Sequence, residues 1–205
     1  MSELIFYTNP QSRGRIVRWM LEETGASYRT EIVPYGPVMK GPDYLAINPM
    51  GKVPAIRHGA TIVTECAAIC AYLADAFPAA GLAPPTDRRG DYYRWLFFAA
   101  GPVEAAVTDK MLKVEPNAEQ RGSVGYGSFE ETIDNLERAV TGRPYFCGDQ
   151  FTAADVYAGS HIAWGMMFKT IEERPAFIDY VARIHDRPAY KRAAELDDAA
   201  AAATV

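Results

Sequence analysis

The sequence has few cysteines, and this scarcity excludes two classes of protein. Cys66, Cys70 and Cys147 are an odd number of thiols in 205 residues without an export signal, so we do not expect a disulfide framework. Cys66 and Cys70 lie four apart in ECAAIC, but two thiols with no neighbouring His or Cys are too few for a metal site. We therefore expect reduced thiols and no bound metal.

The sequence also lacks a basic surface and a long apolar run. Its net charge is -5 and its Lys and Arg residues are scattered, which predicts no binding to nucleic acid or to an anionic membrane. No stretch approaches the ~20 apolar residues of a membrane-spanning helix, and MSELIFYTNPQ does not have the pattern of a signal peptide. With 49% hydrophobic residues to build a core, we expect a folded cytoplasmic protein.

The first 78 residues alternate strand and helix signals. LIFYT is a short β-rich run that ends at Asn9 and Pro10, and apolar residues then recur at helical spacing over 13–24, up to Gly25. YRTEIV predicts a second strand, KVPAIRHGATIVT an antiparallel hairpin around its His-Gly pair, and ECAAICAYLADAF a helix. The predicted order is β-α-β-x-β-β-α, where x is the Pro- and Gly-rich stretch 34–49.

A change of composition separates this part from the rest of the chain. PAAGLAPPTD is rich in proline, as interdomain linkers are, and the patterns after it are helical, with a kink expected at Gly101 and Pro102. We therefore predict an α/β domain over 1–78, a linker over 79–86 and an all-α bundle over 87–205.

Pro54 conflicts with the strand signal around it. A trans proline in KVPAI would remove a hydrogen bond from the sheet, and prolines in sheets are confined to edges and bulges. The alternative is a cis peptide bond between Val53 and Pro54, which would turn the backbone of Val53 toward something outside the sheet. The residues alone leave both alternatives open.

The order of these motifs resembles that of the soluble glutathione transferases over essentially the whole chain. The motifs are NPMGKVPAI and TECAAICAYL in the first half, the proline-rich linker, and FTAADV in the helical half, where Thr152 and Asp155 have the spacing of a helix capping box. The resemblance implies a thioredoxin-like domain that binds glutathione, a helical bundle domain after it, and a cis bond before Pro54. It also implies a homodimer, with detoxification as its role and lyase, dehalogenase and peroxidase roles as the alternatives.

The resemblance implies particular contacts with glutathione in the first domain. Val53 would form backbone hydrogen bonds to the cysteinyl part, with Lys52 and Pro54 beside it, and Glu65 and Cys66 would hold the γ-glutamyl end. The family usually has Ser where this chain has Cys66, whose thiol is a weak donor. A γ-glutamyl group carries an ammonium and a carboxylate, so Glu65 beside the N–H groups of a helix start suits it. The alternative for Glu65 is a residue that only complements the helix dipole.

The group that activates the thiol is expected after the first strand. A thiol has a pKa of about 8.5, and lowering it by about two units takes roughly 2.7 kcal/mol. Ser12, at the expected helix start, could cap the helix and donate its hydroxyl proton to the thiolate, and it is our first candidate. The alternatives are a Ser12 that only caps, a Tyr7 that donates or merely packs in the core, and an Asn9 that donates an amide N–H.

Arg13 and Arg15 lie at the same helix start, where cations oppose the helix dipole. Such charges are tolerable where an anion binds, and the thiolate or a carboxylate of glutathione would be that anion. We therefore count Arg13 among the glutathione-binding candidates. For Arg15 we prefer a surface role, either solvated or paired with Glu22, Glu23 or a partner subunit.

The second substrate is expected to bind between the two halves, against the long first helix of the second. The candidates for an apolar wall, of which we expect a minority to contribute, are Tyr92, Tyr93, Phe97, Phe98, Trp164, Met167 and Phe168. The resemblance also implies that an acidic residue of the partner subunit reaches the glutathione site, and Glu104 and Asp109 are candidates.

The leading hypothesis is a transferase that adds the thiolate of glutathione, its co-substrate, to a small hydrophobic electrophile. A thiol-disulfide oxidoreductase on the same fold needs a reactive Cys after the first strand, and no Cys precedes position 66. The third hypothesis is a non-catalytic glutathione-binding or regulatory module. The identity of the electrophile does not follow from the fold.

Overall fold

A four-stranded sheet forms the centre of the N-terminal unit in the computed structural model, which describes residues 2–203. Its strands are β1 (Leu4–Thr8), β2 (Arg29–Ile32), β3 (Ala55–His58) and β4 (Thr61–Thr64). Their order is β2-β1-β3-β4; β1 and β2 are parallel, whereas β3 is antiparallel to β1 and to β4. The apolar run LIFYT is therefore an inner strand, and the predicted hairpin is confirmed.

Helices follow the strands at the predicted places. α1 (Gly14–Thr24) buries its apolar stripe and ends at Gly25, whose φ of 65° gives the left-handed conformation that commonly closes a helix. α3 (Cys66–Ala76) follows β4 directly. The stretch predicted to be irregular contains a single helical turn, α2 (Pro42–Leu45). Proline is tolerated at its first position because the N–H that proline lacks would have no acceptor within the helix. The thioredoxin-like order is confirmed.

The second unit is helical. Its helices are α4 (Gly90–Phe98), α5 (Glu104–Leu112), α6 (Phe129–Val140), α7 (Ala153–Met167) and α8 (Pro175–His185). α4 and α5 are joined by a π-helical turn, Ala99–Val103, at the predicted kink. Pro102 lies inside this turn, where its missing N–H and its ring prevent a regular α-helical ladder.

α7 is the central helix of this unit, and most of its residues are buried. The predicted capping box at its start is confirmed: Thr152 Oγ1 accepts the N–H of Ala154 at 3.3 Å, and Asp155 Oδ2 accepts the N–H of Thr152 at 2.9 Å. The box satisfies backbone donors that would otherwise be buried without partners.

The last helix, α9 (Pro188–Ala202), packs against α1 and belongs to the N-terminal unit. One compact unit contains the chain up to Leu82 together with the segment from Arg187 onward, and the other contains Ala83–Asp186. Ion pairs join α9 and its N-cap residue Arg187 to α1, among them Arg15–Asp198, Arg18–Asp197 and Glu23–Arg187. These units differ from the predicted division at 1–78, 79–86 and 87–205, which remains a prediction about domains.

The three cysteines are all unbridged, and Cys66 and Cys70 are buried. A hydrogen bond to Cys66 and burial together raise the pKa of the Cys70 thiol well above its usual range, so Cys70 stays protonated at neutral pH. Over residues 2–203, no helix is long and apolar enough to cross a membrane, and no group of His, Cys, Asp and Glu has the arrangement of a metal site.

Candidate functional site

The loop between β1 and α1 holds three of the candidate residues and is fixed by its own hydrogen bonds. Asn9 is buried; its Nδ2 donates to the carbonyl of Val33 at 3.2 Å, and its Oδ1 accepts the N–H of Gln11 at 3.0 Å. The side chain of Asn9 therefore ties the loop to the end of β2. One amide hydrogen of Nδ2 is left for a ligand.

Ser12 precedes the helix by one residue more than its sequence predicts, because α1 begins at Gly14 and Arg13 is its N-cap. The hydroxyl of Ser12 accepts the N–H of Gly14 at 2.9 Å and donates to the carbonyl of Asn9 at 2.6 Å. It thus satisfies a helix-start donor, as a cap would. To donate to a sulfur atom, the hydroxyl must turn its proton away from Asn9.

Gly14 allows the helix to start so close to the strand. A Cβ at this position would lie 1.9 Å from Thr8 Oγ1 and 3.0 Å from Ser12 Oγ. Any larger residue would displace the loop, so Gly14 is a positional requirement that the sequence pattern did not reveal.

Tyr7 is half-buried at the end of β1. Its ring lies 6.1 Å, between centroids, from that of Tyr44, and it packs against a small core of Val33, Met39 and Tyr44. These contacts agree with the alternative in which Tyr7 is a packed aromatic.

The Val53–Pro54 peptide bond is cis, as the resemblance implied. The carbonyl of Lys52 is held by Tyr44 Oη and Asn48 Nδ2, both at 2.7 Å, whereas the side chain of Lys52 is exposed. Within the described residues, neither the N–H nor the carbonyl of Val53 forms a hydrogen bond. The loop is therefore rigidly supported on one side and presents an unpaired peptide group on the other.

Glu65 stands at the start of α3 in an unusual conformation. Its φ is 67°, a left-handed value that costs a non-glycine residue roughly 1–3 kcal/mol, and its side chain is exposed. No side chain caps α3, so the N–H groups of its first turn are open to a ligand beside the carboxylate of Glu65. The sequence did not predict this strain, because no Gly or Asn marks it.

The thiol of Cys66 donates to the carbonyl of Arg13 at 3.6 Å, which brings the starts of α1 and α3 together. Cys66 is 8% exposed. Its thiol therefore already has an acceptor within the chain.

Strand pairing brings the three loops to one edge of the sheet. Ala55 pairs with Tyr7 in β1 and with Thr64 in β4, so the cis bond lies beside the loop after β1 and beside Glu65. The site therefore combines an unpaired peptide, an exposed carboxylate and two helix starts. Such a set is complementary to an extended peptide that carries an amino acid headgroup and an anionic centre.

Residues that support the site were missed by the sequence prediction. Tyr44 and Asn48 hold the carbonyl of Lys52, and Lys40 Nζ donates to the carbonyls of Met50 and Gly51 at 3.0 and 2.7 Å. They lie in the stretch 34–49, where only turn residues were recognised.

The candidates for the second-substrate wall differ in exposure. Tyr92 is 1% exposed and belongs to the core of the helical unit, so it cannot line an open wall. The strongly exposed candidates are Tyr93, Phe97, Met167 and Phe168. Phe98 and Trp164 are intermediate.

The two acidic candidates have contacts within the helical unit. Glu104 Oε1 lies 3.6 Å from His161 Nε2, and Asp109 Oδ2 accepts the hydroxyl of Tyr126 at 2.6 Å. Both carboxylates would have to give up these contacts to reach a partner subunit.

Comparison with known proteins agrees with the geometry. Residues 12–76 match the family model described as glutathione S-transferase, N-terminal domain, and residues 104–183 match that of the C-terminal domain. Glutathione S-transferase GstA of Escherichia coli O157:H7 is 29% identical over 72% of this chain and 75% of its own. Glutathione S-transferase GST-4.5 of Xanthomonas campestris pv. campestris is 33% identical over 62% and 65%.

A solved structure is similar over nearly the whole chain. The theta class glutathione S-transferase of Xanthomonas axonopodis pv. citri, with glutathione bound, is 26% identical and has a TM-score of 0.72. The alignment covers 95% of this chain and 98% of that one.

Proposed function

The chain belongs to the glutathione transferase family, and from that premise we propose that its N-terminal unit binds glutathione and activates the thiol for transfer to a small hydrophobic electrophile. The observation that carries the proposal is the meeting of three segments at one sheet edge: the unpaired Val53 peptide, the Glu65 carboxylate at the start of α3, and the start of α1. Each matches a different part of glutathione.

The tripeptide would bind in an extended form across this edge. The N–H and carbonyl of Val53 would pair with the cysteinyl backbone, which is the pairing that a further strand would make. Glu65 would accept the γ-glutamyl ammonium, while N–H groups of the first turn of α3, including that of Cys66, would bind its carboxylate. Lys52 and Arg13 would add positive charge for the remaining carboxylate and the thiolate.

The sulfur would then lie near the start of α1. The Ser12 hydroxyl would turn from the Asn9 carbonyl and donate to the thiolate, with the spare amide hydrogen of Asn9 and the helix start adding to the stabilisation. Lowering the thiol pKa by about two units makes most of it ionised at neutral pH. The thiol proton passes to solvent, and the thiolate attacks the electrophilic carbon and forms the carbon–sulfur bond. In a substitution the bond to the leaving group breaks, and that group departs with its electron pair, as chloride does from a chlorodinitrobenzene; in an addition the neighbouring atom takes up a proton from solvent.

We expect Ser12→Ala to raise the pKa of the bound thiol by about one to two units and to lower kcat about 10- to 100-fold, because a hydroxyl donor to the thiolate is lost. The measurement is the ultraviolet absorbance of the thiolate of bound glutathione against pH, together with turnover of a chlorodinitrobenzene substrate. Ser12→Thr keeps the hydroxyl and is the matched control. If absorbance and turnover match those of the wild type, Ser12 is not the activating residue.

We expect Glu65→Gln to weaken glutathione binding about 10- to 100-fold with little change in kcat, because the ammonium loses a charge-assisted partner. Calorimetry with glutathione measures the loss, and Glu195→Gln on α9, which is exposed, is the control. Glutathione acetylated on its amino group has no ammonium, so Glu65→Gln should weaken its binding much less. Equal losses for both ligands would refute the assigned contact.

The alternatives are less well supported. A thiol-disulfide oxidoreductase would need a reactive thiol in the loop after β1, where Asn9, Gln11 and Ser12 stand, and the Cys66 thiol is buried. A non-catalytic binding module would bind glutathione without turnover, so the Ser12 assay also tests it.

We further propose a cytoplasmic homodimer with a role in detoxification. Membership of the family supports the dimer, and so does the exposed apolar side chain of Met50. For the electrophile, Tyr93, Phe97 and Phe168 offer exposed aromatic surface on the helical unit. No metal takes part in the proposed reaction.

A further inference from the structure

Arg15 joins the loop after β1 to the C-terminal helix. Its Nε donates to the carbonyl of Pro10 at 2.6 Å, and its Nη2 donates to Asp198 Oδ1 on α9 at 2.7 Å. From its sequence position Arg15 was expected at the surface, either solvated or paired with Glu22, Glu23 or a partner subunit. The structure gives it two partners, one of them in the loop that carries Asn9 and Ser12.

The geometry of this contact makes it suited to fixing a position. A guanidinium is a rigid planar fork, so two bonds on different nitrogens define where the Pro10 carbonyl lies relative to α9. That carbonyl is the neighbour of the Asn9 carbonyl, which accepts the Ser12 hydroxyl at 2.6 Å. The same Asn9 carbonyl accepts the backbone N–H of Ser12 at 3.1 Å, so a shift of Pro10 moves the backbone from which the Ser12 side chain extends.

The charge at this position also needs an explanation. A cation in the first turn of a helix opposes the helix dipole, and α1 has no acidic residue there to offset it. Asp198 supplies the compensating charge from α9, 183 positions later in the chain. Arg15 and Asp198 are 34% and 68% exposed, so the pair adds little to stability, and its geometry is the feature to be explained.

We propose that Arg15 is a positioning residue for glutathione activation and that Asp198 holds it, so that the C-terminal helix sets the geometry of the loop that bears Ser12. The expected effect on catalysis rests on the proposed function, whereas the effect of α9 on the conformation of the loop does not. Loss of the link would leave the backbone and the Ser12 hydroxyl less well oriented toward the sulfur, and small displacements of such groups lower rates strongly.

The test compares two Arg→Lys substitutions on ion pairs between the same two helices. Arg15→Lys keeps the charge but loses the planar guanidinium, whereas Arg187→Lys alters the pair with Glu23, which lies at the other end of α1 from the loop. Asp198→Ala, a second variant, removes the anchor of Arg15. The ligand-free proteins are compared by amide hydrogen exchange over 9–14, and with glutathione by the pKa of the bound thiol and by kcat.

We expect exchange over 9–14 to be about 10-fold faster in Arg15→Lys and Asp198→Ala than in the wild type and unchanged in Arg187→Lys. We also expect the bound thiol pKa to rise by about one unit and kcat to fall about 10-fold in the first two variants. Asp198→Ala distinguishes two effects on the pKa of the bound thiol. Loss of positioning would raise this pKa, whereas the positive charge of Arg15, no longer compensated by Asp198, would by itself lower it.

Equal loop exchange in the three variants overturns the link. A thiol pKa that falls in Asp198→Ala, or that does not differ between the two Arg→Lys variants, overturns the role in activation. A wild-type protein that binds no glutathione overturns the proposed function instead, and the exchange data then still decide whether α9 controls the loop.

Discussion

Asp155→Asn is expected to destabilise the protein by about 3 kcal/mol, although the two side chains have nearly the same shape. Asp155 is fully buried, and its two oxygens accept four hydrogen bonds. Oδ1 accepts the N–H of Phe146 at 2.8 Å and the hydroxyl of Tyr180 at 2.9 Å, and Oδ2 accepts the N–H and hydroxyl of Thr152 at 2.9 and 3.1 Å.

Asparagine cannot substitute for Asp155 because its side chain has only one oxygen, and an NH2 group takes the place of the other. Its NH2 group must face either the N–H of Phe146 or that of Thr152, and a backbone N–H cannot rotate away as a hydroxyl can. Each orientation leaves a buried backbone donor without an acceptor, which typically costs about 1–3 kcal/mol, and sets two donors against each other. Rescue by the conservative substitution is therefore not expected.

A pH dependence separates the charge of Asp155 from its shape. Burial raises the pKa of Asp155 from 3.8 to about 6, although hydrogen bonds from Phe146, Thr152 and Tyr180 favour the carboxylate. A folded pKa above the unfolded one means that the folded state gains stability as pH falls from about 7 toward 4. At about 1.4 kcal/mol per pKa unit, the gap between wild type and Asp155→Asn should widen by up to about 3 kcal/mol.

Urea unfolding near neutral pH and near pH 4.5, followed by tryptophan fluorescence and circular dichroism, measures both effects. Asp179→Asn on the exposed face of α8 is the control and should change the free energy of unfolding by less than about 0.5 kcal/mol. A loss of less than about 1 kcal/mol in Asp155→Asn, or a gap that narrows as the pH falls, would contradict the assigned role.

This capping box was predictable because its physics is local. Thr152 and Asp155 are three residues apart, and the pattern of polar cap, acidic residue and apolar run states their contacts in the sequence itself. The hairpin of β3 and β4 and the kink at Pro102 were equally local. The cis bond at Pro54 could not be predicted from local residues alone. They left two alternatives open, and only the family resemblance decided between them.

The sequence supplies the candidate residues of the site but not the contacts between them. The sequence puts Asn9, Ser12, Val53 and Glu65 in loops, and only the strand register brings the loops to one edge of the sheet. The acceptor of the Ser12 hydroxyl is the carbonyl of Asn9, and a main-chain partner leaves no mark in a sequence. The positive φ of Glu65 could not be predicted from the sequence for a related reason. The junction of β4 and α3 imposes this backbone conformation, and the residue type does not indicate it.

The attachment of α9 could not be predicted at all. The run PAYKRAAELDDAAAAA predicts a helix but not its partner, and its alanine-rich end resembles a fraying terminus. Ion pairs and the packing of Tyr190 against Trp19 bind it to α1. Helical periodicity predicts which residues of α9 share a face, but it does not predict the residues of α1 that they contact. Contacts between residues so far apart in the chain can be identified only from the three-dimensional structure.

The strongest of those charges leads to the other large effect: Asp197→Ala is expected to cost about 3–5 kcal/mol. Arg18 and Asp197 have side chains that are 5% and 1% exposed, with Arg18 Nε 2.7 Å from Asp197 Oδ1. The alanine would leave the guanidinium of Arg18 buried above the ring of Phe6, with only the hydroxyls of Tyr28 and Thr30 as further acceptors. Removing one partner of a buried pair leaves the other charge uncompensated.

A double variant distinguishes this cost from the worth of the pair itself. Arg18→Met with Asp197→Leu removes both charges and keeps apolar volume, so it should regain most of the stability lost in Asp197→Ala, because the desolvation of two ions is avoided. Asp198→Ala, one residue along α9, is the matched control and should cost no more than about 1 kcal/mol, since Asp198 is 68% exposed. If the double variant is as unstable as the single one, the loss comes from packing between α1 and α9 and not from the unpaired charge. If Asp197→Ala costs no more than its neighbour, the ion pair does not hold the C-terminal helix to the N-terminal unit.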